Sequence, residues 1–176
     1  MFKALGAKTF SSDEIVEELY RKNEVKKKLA KVFGKKVFSG SRIDKKKLAK
    51  IIFSEKMERK KLERIVHALV FREIKKEIAG VGKAMPVVVE IPLLFESKKN
   101  FFSLFDFVAV VKATKKQQLE RGKKSGFGRK EILERMKAQM PLEKKIKKAD
   151  FVIDNSGSVS GTREQVKAIF WLLALV

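Results

Sequence analysis

Two kinds of hydrophobic pattern alternate along the chain. Short, β-rich apolar runs lie at residues 7–11, 86–91, 106–112 and 150–154, and the second and third predict strands that are buried on both faces. Between these runs, apolar residues recur every three or four positions, as they do on one face of a helix. Strands that alternate with helices in this way predict an α/β fold with a parallel sheet.

Residues that commonly cap helices mark several of the predicted helix starts. The expected N-caps are Asn23, Asp44, Ser54 and Thr114, the last in a capping box with Gln117. Further helices are predicted over residues 129–139, from Pro141 onward, and over about 162–175. We find no internal repeat or long low-complexity linker, and the 176 residues are therefore interpreted as a single domain.

Composition excludes several classes of protein. The chain is 44% hydrophobic, which is too apolar for a disordered polycation despite a formal charge of +21. It has no Cys, which rules out disulfides and a Cys nucleophile, and its one histidine, His67, rules out a multi-His metal site. The longest nearly uncharged apolar run, residues 168–176, is too short to span a bilayer, and the amino end has no signal-peptide pattern. We therefore expect a soluble, cytoplasmic protein.

The excess of 42 Lys and Arg over 21 Asp and Glu favours anionic partners. Nucleic acid is one candidate, and nucleotides or phosphorylated metabolites are the other. The basic residues are mainly Lys in scattered pairs and triples, whereas base-edge recognition favours Arg and single-strand binding uses interleaved aromatics. The pattern is more typical of a solvated Lys-rich surface than of a nucleic-acid interface.

Six segments stand out in order along the chain: residues 9–15 (TFSSDEI), 65–69 (IVHAL), 90–96 (EIPLLFE), 118–121 (QLER), 138–145 (AQMPLEKK) and 149–157 (ADFVIDNSG). Together they resemble the dephospho-coenzyme A kinase family of the P-loop kinase lineage. The resemblance implies a P-loop-kinase-like parallel sheet flanked by helices, with a helical lid at residues 115–148. It also implies transfer of the γ-phosphoryl group of ATP, with Mg²⁺, to the 3′-hydroxyl of dephospho-coenzyme A, the last step of coenzyme A synthesis.

One part of the family pattern is not found in the sequence. The family begins with a strand, a glycine-rich loop ending Gly-Lys-Ser/Thr and a helix, but residues 1–6 resemble only the end of that helix, closed by Gly6. Neither Gly-Lys stretch elsewhere, at 80–84 (GVGKA) and 122–125 (GKKS), has the glycine spacing of a P-loop. We expect the first, central strand and the P-loop with its metal-binding Ser/Thr to be absent, and the chain as given to be inactive. A misplaced start at an internal Met is the simplest cause.

The resemblance assigns three residues to the acceptor side. Asp13 is the expected general base for the 3′-hydroxyl, with an N-cap as the alternative interpretation. His67 and Arg72 are expected to bind dephospho-coenzyme A; a packed histidine and a solvent-facing arginine are the alternatives. Ser11 stands where the family has a first acidic residue, which leaves no carboxylate there for Mg²⁺.

The remaining assignments follow later strands and the lid. Glu96, at the end of a predicted strand, is expected to contact substrate. Arg121, Arg129 and Arg135 are expected to close over phosphates, with Gly122, Gly126 and Gly128 giving the lid mobility. Asn155, Ser156 and Gly157 are expected to lie by the adenine, with an ordinary turn as the alternative. The competing function is a non-catalytic basic protein that binds RNA or another polyanion, and the oligomeric state stays open.

Overall fold

The computed structural model describes residues 1–82, 85–97 and 101–175. Lys83 and Ala84, in the first Gly-Lys stretch, lie outside the described residues. The strands are β1 (Lys8–Ser11), β2 (Phe38–Ser39), β3 (Arg42–Ile43), β4 (Val87–Glu90), β5 (Ala109–Lys112) and β6 (Phe151–Asp154). The helices are α1 (Ser12–Arg21), α2 (Asn23–Phe33), α3 (Lys45–Ser54), α4 (Lys56–Gly80), α5 (Lys115–Lys124), α6 (Arg129–Ala138), α7 (Leu142–Ile146) and α8 (Val159–Leu173).

All four predicted strands form, which confirms the α/β class. Strands β5 and β6 pair in parallel, with Ala109 opposite Phe151 and Lys112 opposite Asp154. Strand β1 pairs with β4, so the predicted strands form two separate two-stranded ladders in the part of the chain that the structure describes. Within those residues, β4 and β5 each have one hydrogen-bonded neighbour strand.

The chain divides into two compact units. The first comprises residues 1–9, 83–88 and 93–176. In it, α8 packs on β6 and on a short 3₁₀ helix at Phe2–Leu5, burying Val166 and Phe170. Gly6 closes that 3₁₀ helix in the left-handed region, at φ 105°, as the sequence predicts. The apolar face of α8 therefore forms part of the core of this unit.

The second unit comprises residues 10–82 and 89–92. Helix α1 packs on α2 and α4, and α3 packs on α4, around the fully buried side chains Leu19, Val25, Leu29 and Ile74. The antiparallel hairpin of β2 and β3 is too short to give a recognisable alternating pattern, and the sequence analysis missed it. Its turn includes Gly40 at φ 59°, where a side chain would be strained.

Two of the predicted N-caps are confirmed and two are wrong. The Asp44 carboxylate accepts from the backbone N–H groups of Lys46 and Lys47, and Thr114 forms the capping box with Gln117. Asn23 is instead the first residue inside α2, after Lys22. Ser54 is the last residue of α3, because the helical pattern continues to that point and the break falls at Glu55. Local capping preference is weak against the packing of the neighbouring helices.

In the described ranges, no helix is long and apolar enough to cross a membrane. The cytoplasmic location and the single domain with a lid at residues 115–148 stay predictions.

Candidate active site

The loop that follows β6 is held from two sides. The Asn155 N–H donates to the Lys112 carbonyl at 2.8 Å, which extends the β5–β6 ladder by one bond. From α5, the Gln117 side-chain amide donates to the Ser156 carbonyl at 2.7 Å, and the Arg121 guanidinium donates to the Asn155 carbonyl at 3.0 Å. The amino-terminal part of the predicted lid is thus bonded directly to the predicted adenine loop.

Asp154 organises the same loop from within. Its carboxylate accepts from the Ser156 hydroxyl at 2.5 Å and from the Ser156 N–H at 2.9 Å, and it pairs with the Lys112 ammonium at 2.9 Å. The hydrogen bond from the Ser156 side chain, followed by that from Lys112, lowers the pKa of Asp154 to about 2. The sequence analysis missed this role, although an Asp two residues before a Ser in a turn is a recognised local hydrogen-bonding pattern.

Gln165, on α8, completes the support of the loop. Its side chain accepts from the Asp154 N–H at 2.8 Å and donates to the Asp154 carbonyl at 3.0 Å. The Thr162 hydroxyl, also on α8, lies 3.3 Å from the Asn155 side-chain oxygen. Gly157 has open space where a Cβ would stand, so the described protein leaves this edge of the loop accessible. Hydrogen bonds from β5, α5 and α8 therefore meet on three consecutive residues, Asp154, Asn155 and Ser156.

Helices α5 and α6 pack closely in the predicted lid. A Cβ built on Gly122 would lie 2.8 Å from Ile132 Cδ1 and 2.9 Å from Ile132 Cγ1, and Ile132 is buried. Gly122 therefore permits close helix packing and lies inside α5, which corrects its interpretation as a hinge. Gly126, at φ 88° between the two helices, does need the freedom of glycine.

The three predicted lid arginines have different surroundings. Arg121 is bonded to the Asn155 carbonyl. Arg135 pairs with Glu131 at 2.8 Å on the same helix and lies 4.5 Å from the Phe127 ring centroid. Arg129 lines an open hollow with Lys115, Lys116, Leu119, Glu120 and Lys123. Four cationic side chains and one carboxylate thus line this hollow.

Glu96 lies in the turn after β4 and is bonded to residues of the predicted lid. Its Oε1 accepts from the Met140 N–H at 2.7 Å and from the Lys145 ammonium at 2.8 Å. Burial acts to raise the pKa of Glu96, but the hydrogen bonds from Lys145 and from the Met140 N–H outweigh it and hold the pKa below its usual value. Neither Met140 nor Lys145 carried a chemical signal of its own in the sequence.

The three residues predicted for the acceptor side lie in the second unit, on helices that pack together. Asp13 is exposed in the first turn of α1; the N-cap is Ser11, so the N-cap interpretation of Asp13 is wrong. His67 is half-buried on α4. Arg72, also on α4, is exposed and lies 3.7 Å from Glu24. The carboxylate of Asp13 is therefore available to a ligand at the amino end of α1.

Comparison with solved structures defines the class of protein. The crystal structure of the Thermus thermophilus protein TT1252 superposes with a TM-score of 0.82 at 32% identity, over 97% of this chain and 87% of that one. A dephospho-CoA kinase from Campylobacter jejuni superposes with a TM-score of 0.71 at 28% identity, over 98% of this chain and 88% of that one. The fold is thus that of an α/β kinase of the P-loop kinase class.

Sequence comparison identifies the family. The dephospho-CoA kinase family model matches residues 1–161. A dephospho-CoA kinase of Aquifex aeolicus is 37% identical over 172 residues, which is 97% of this chain and 87% of that protein. One of Carboxydothermus hydrogenoformans is 38% identical over 174 residues, 96% of this chain and 84% of that protein. The chain belongs to the dephospho-CoA kinase family, a family of phosphotransferases, and the resemblance seen in the sequence is confirmed.

Proposed function

We propose that this chain carries the acceptor side, the lid and the adenine loop of an ATP-dependent kinase for the 3′-hydroxyl of dephospho-coenzyme A. The single observation that carries the proposal is the family match over residues 1–161, which includes the Asp13, Glu96, lid and 155–157 segments. The convergence of Gln117, Arg121 and Asp154 on the 155–157 loop supports a nucleotide site there.

The reaction needs positioning and charge neutralisation more than covalent chemistry by the protein. The 3′-oxygen of the acceptor forms a bond to the γ-phosphorus, the bond from that phosphorus to the β–γ bridging oxygen breaks, and ADP leaves. We assign the hydroxyl proton to the exposed carboxylate of Asp13. His67 and Arg72 hold the acceptor, and the cationic side chains of the lid, Arg129 and Arg135 among them, neutralise phosphate charge.

We propose that residues 1–176 do not themselves form the glycine-rich phosphate cradle of the family. The printed sequence contains no glycine-rich loop that ends in Gly-Lys-Ser/Thr. Among the described residues, β4 and β5 each have a single pairing partner. We assign Mg²⁺ to the ATP that it accompanies, because Mg²⁺ in kinases is bound largely by substrate phosphates. We therefore expect no turnover from residues 1–176 alone.

Acceptor binding tests the assignment without requiring turnover. Titration of the chain with dephospho-coenzyme A and with coenzyme A should give saturable binding that favours the former, because the Asp13 carboxylate repels the 3′-phosphate of the latter. Asp13→Asn should narrow that preference. Glu14→Gln, which changes the next exposed carboxylate of the same helical turn, is the matched control and should leave the preference unchanged.

Two results would contradict the proposal. Equal affinity for the two ligands in the unaltered chain would remove the acceptor assignment. Phosphorylation of dephospho-coenzyme A by residues 1–176 with ATP and Mg²⁺ would show that the cradle is supplied by these residues after all.

A polyanion-binding role is the second candidate, and the basic hollow of α5 and α6 is the observation that favours it. Residues 115–148 contain 13 Lys and Arg against 4 Glu, which concentrates charge on a small surface. RNA binding of this kind would be indifferent to sequence and would weaken steeply with salt. Binding to unrelated RNA oligonucleotides between low and physiological salt distinguishes it from saturable binding of dephospho-coenzyme A.

A further inference from the structure

Glu96 connects two parts of the chain that are far apart in sequence. It lies in the turn after β4, where the Ser97 N–H donates to the Leu93 carbonyl at 3.1 Å and Leu94 is buried. Its partners, Met140 and Lys145, lie 44 and 49 positions further on. Met140 belongs to the three-residue junction between α6 and α7, and Lys145 is on α7. The contacts therefore fix the carboxyl-terminal end of the segment 115–148 to the turn that follows β4.

The bonds are sheltered from solvent. The Lys145 side chain is only 11% exposed and the Glu96 side chain 19% exposed. The Lys145 ammonium lies 5.9 Å from the Phe95 ring centroid, and Phe95 packs edge-on against Phe102 at 5.4 Å. Lys145 also donates to the Gln139 side-chain oxygen at 3.2 Å, so it bonds both to the residue at the start of the junction and to Glu96 in the turn after β4.

The carboxylate is not arranged for maximum stability. Both donors bond Oε1, while Oε2 is buried and has no hydrogen-bond partner among the described residues. A buried ion pair recovers its desolvation cost only when its remaining lone pairs are satisfied, and here one oxygen is not. If the contact opens, both oxygens regain water. The unpartnered Oε2 thus offsets part of the attraction, which suits a contact that forms and breaks.

We propose that Glu96 is a positioning residue that acts as a reversible latch, holding the junction at residues 139–141 and thereby the carboxyl-terminal end of the lid. This inference rests on the proposed function in one respect, that residues 115–148 close over a nucleotide. It gives Glu96 an effect on catalysis through the lid and not through contact with substrate. The amino-terminal end of the same segment is held separately, by Gln117 and Arg121 at the 155–157 loop.

Amide hydrogen exchange of the chain without ligands tests the latch directly, because the Met140 N–H is itself one of the bonded groups. Glu96→Ala should speed exchange at Met140 about tenfold or more, since a hydrogen bond to a charged group is lost. Glu96→Gln keeps a carbonyl acceptor and should have a smaller effect. Lys145→Met should also speed exchange at Met140, although it leaves the Met140 bond itself intact.

Glu131→Ala is the matched control, because it removes a carboxylate whose ion-pair partner among the described residues is Arg135 on the same helix, and it should leave Met140 exchange unchanged. Exchange in the unaltered chain tests whether the latch opens reversibly. The Met140 N–H should exchange faster than the N–H of the buried Ile153 in β6, which becomes exposed only when the whole unit unfolds. Equal protection at Met140 and Ile153 would overturn the latch. Unchanged Met140 exchange in Glu96→Ala would overturn it too, and weaker dephospho-coenzyme A binding in that variant would then assign Glu96 to substrate contact.

Failure of the proposed function looks different. If the chain does not bind dephospho-coenzyme A at all, the exchange results in the ligand-free protein still decide whether Glu96 holds the junction. If the exchange results support the latch but the chain does not bind dephospho-coenzyme A, the contact of Glu96 with the junction stands and its proposed effect on catalysis is refuted.

Discussion

Replacement of Gln117 by alanine is expected to remove two different interactions at once. The side-chain oxygen of Gln117 accepts from the Thr114 N–H at 3.1 Å in the capping box of α5, and its amide nitrogen donates to the half-buried Ser156 carbonyl at 2.7 Å. Loss of a capping interaction costs about 1 kcal/mol. A half-buried carbonyl left without its donor costs about 1 kcal/mol more, at the low end of the range because water reaches part of it.

The sum, about 2 kcal/mol, is a substantial part of the 5–15 kcal/mol or so by which domains are usually stable. Urea denaturation followed by circular dichroism measures it as a change in the free energy of unfolding. Thr114→Ala is the matched variant, because it removes the cap and leaves the bond to Ser156, and it should cost about 1 kcal/mol. Gln117→Glu has the opposite effect to Thr114→Ala. It keeps an acceptor for the Thr114 N–H in the cap, but it removes the bond to Ser156 by placing a carboxylate oxygen against the Ser156 carbonyl.

Amide exchange at residues 155–157 separates the two effects. It should rise in both Gln117 variants and stay unchanged in Thr114→Ala. The reasoning would be refuted if Gln117→Ala cost no more than Thr114→Ala, or if the loop exchanged equally in all three variants. Either result would mean that the contact between α5 and the loop contributes nothing to holding the loop.

Three further predictions concern the core, the charge and the packing of the first unit. Phe170→Ala should lower the free energy of unfolding by about 3 kcal/mol because that ring is 6% exposed, whereas Trp171→Ala at 57% exposure should cost under about 1 kcal/mol in the same denaturation experiment. Because the pKa of Asp154 is lowered to about 2 from 3.8, its stabilising contribution is present above about pH 4 and is lost as the pH falls toward 2. Across that interval the free energy of unfolding should depend less on pH in Asp154→Asn than in the unaltered chain. An identical pH dependence in the two proteins would contradict the assignment. Gly122→Ala should lower the melting temperature, because the added methyl group overpacks against Ile132. The double variant with Ile132→Val should recover part of that loss. If the single variant leaves the melting temperature unchanged or raises it, Ile132 moves aside and the reasoning is wrong.

Local sequence determined the elements and the family. Short β-rich runs predicted the strands. The expectation that β4 and β5 are buried on both faces is wrong: Val110 of β5 is buried, but Val111 is 58% exposed, and no residue of β4 is fully buried. Thr114 with Gln117 defined a helix start because the capping box is built from residues three positions apart. The order of six segments was enough to recognise the family, which the match over residues 1–161 confirms. These features share a physical basis: each depends on neighbours in the chain, and those neighbours are visible in the sequence.

Only the tertiary structure decided what the polar side chains do. Glu96 was predicted from its place after a strand, but its bonds to Met140 and Lys145 join residues more than 40 positions apart, and no spacing rule links them. The same holds for Arg121, whose contact with the Asn155 carbonyl depends on how α5 lies beside β6. Long-range hydrogen bonds form when packing of apolar faces brings the polar groups together, and the hydrophobic pattern fixes those faces without specifying which polar partners will meet.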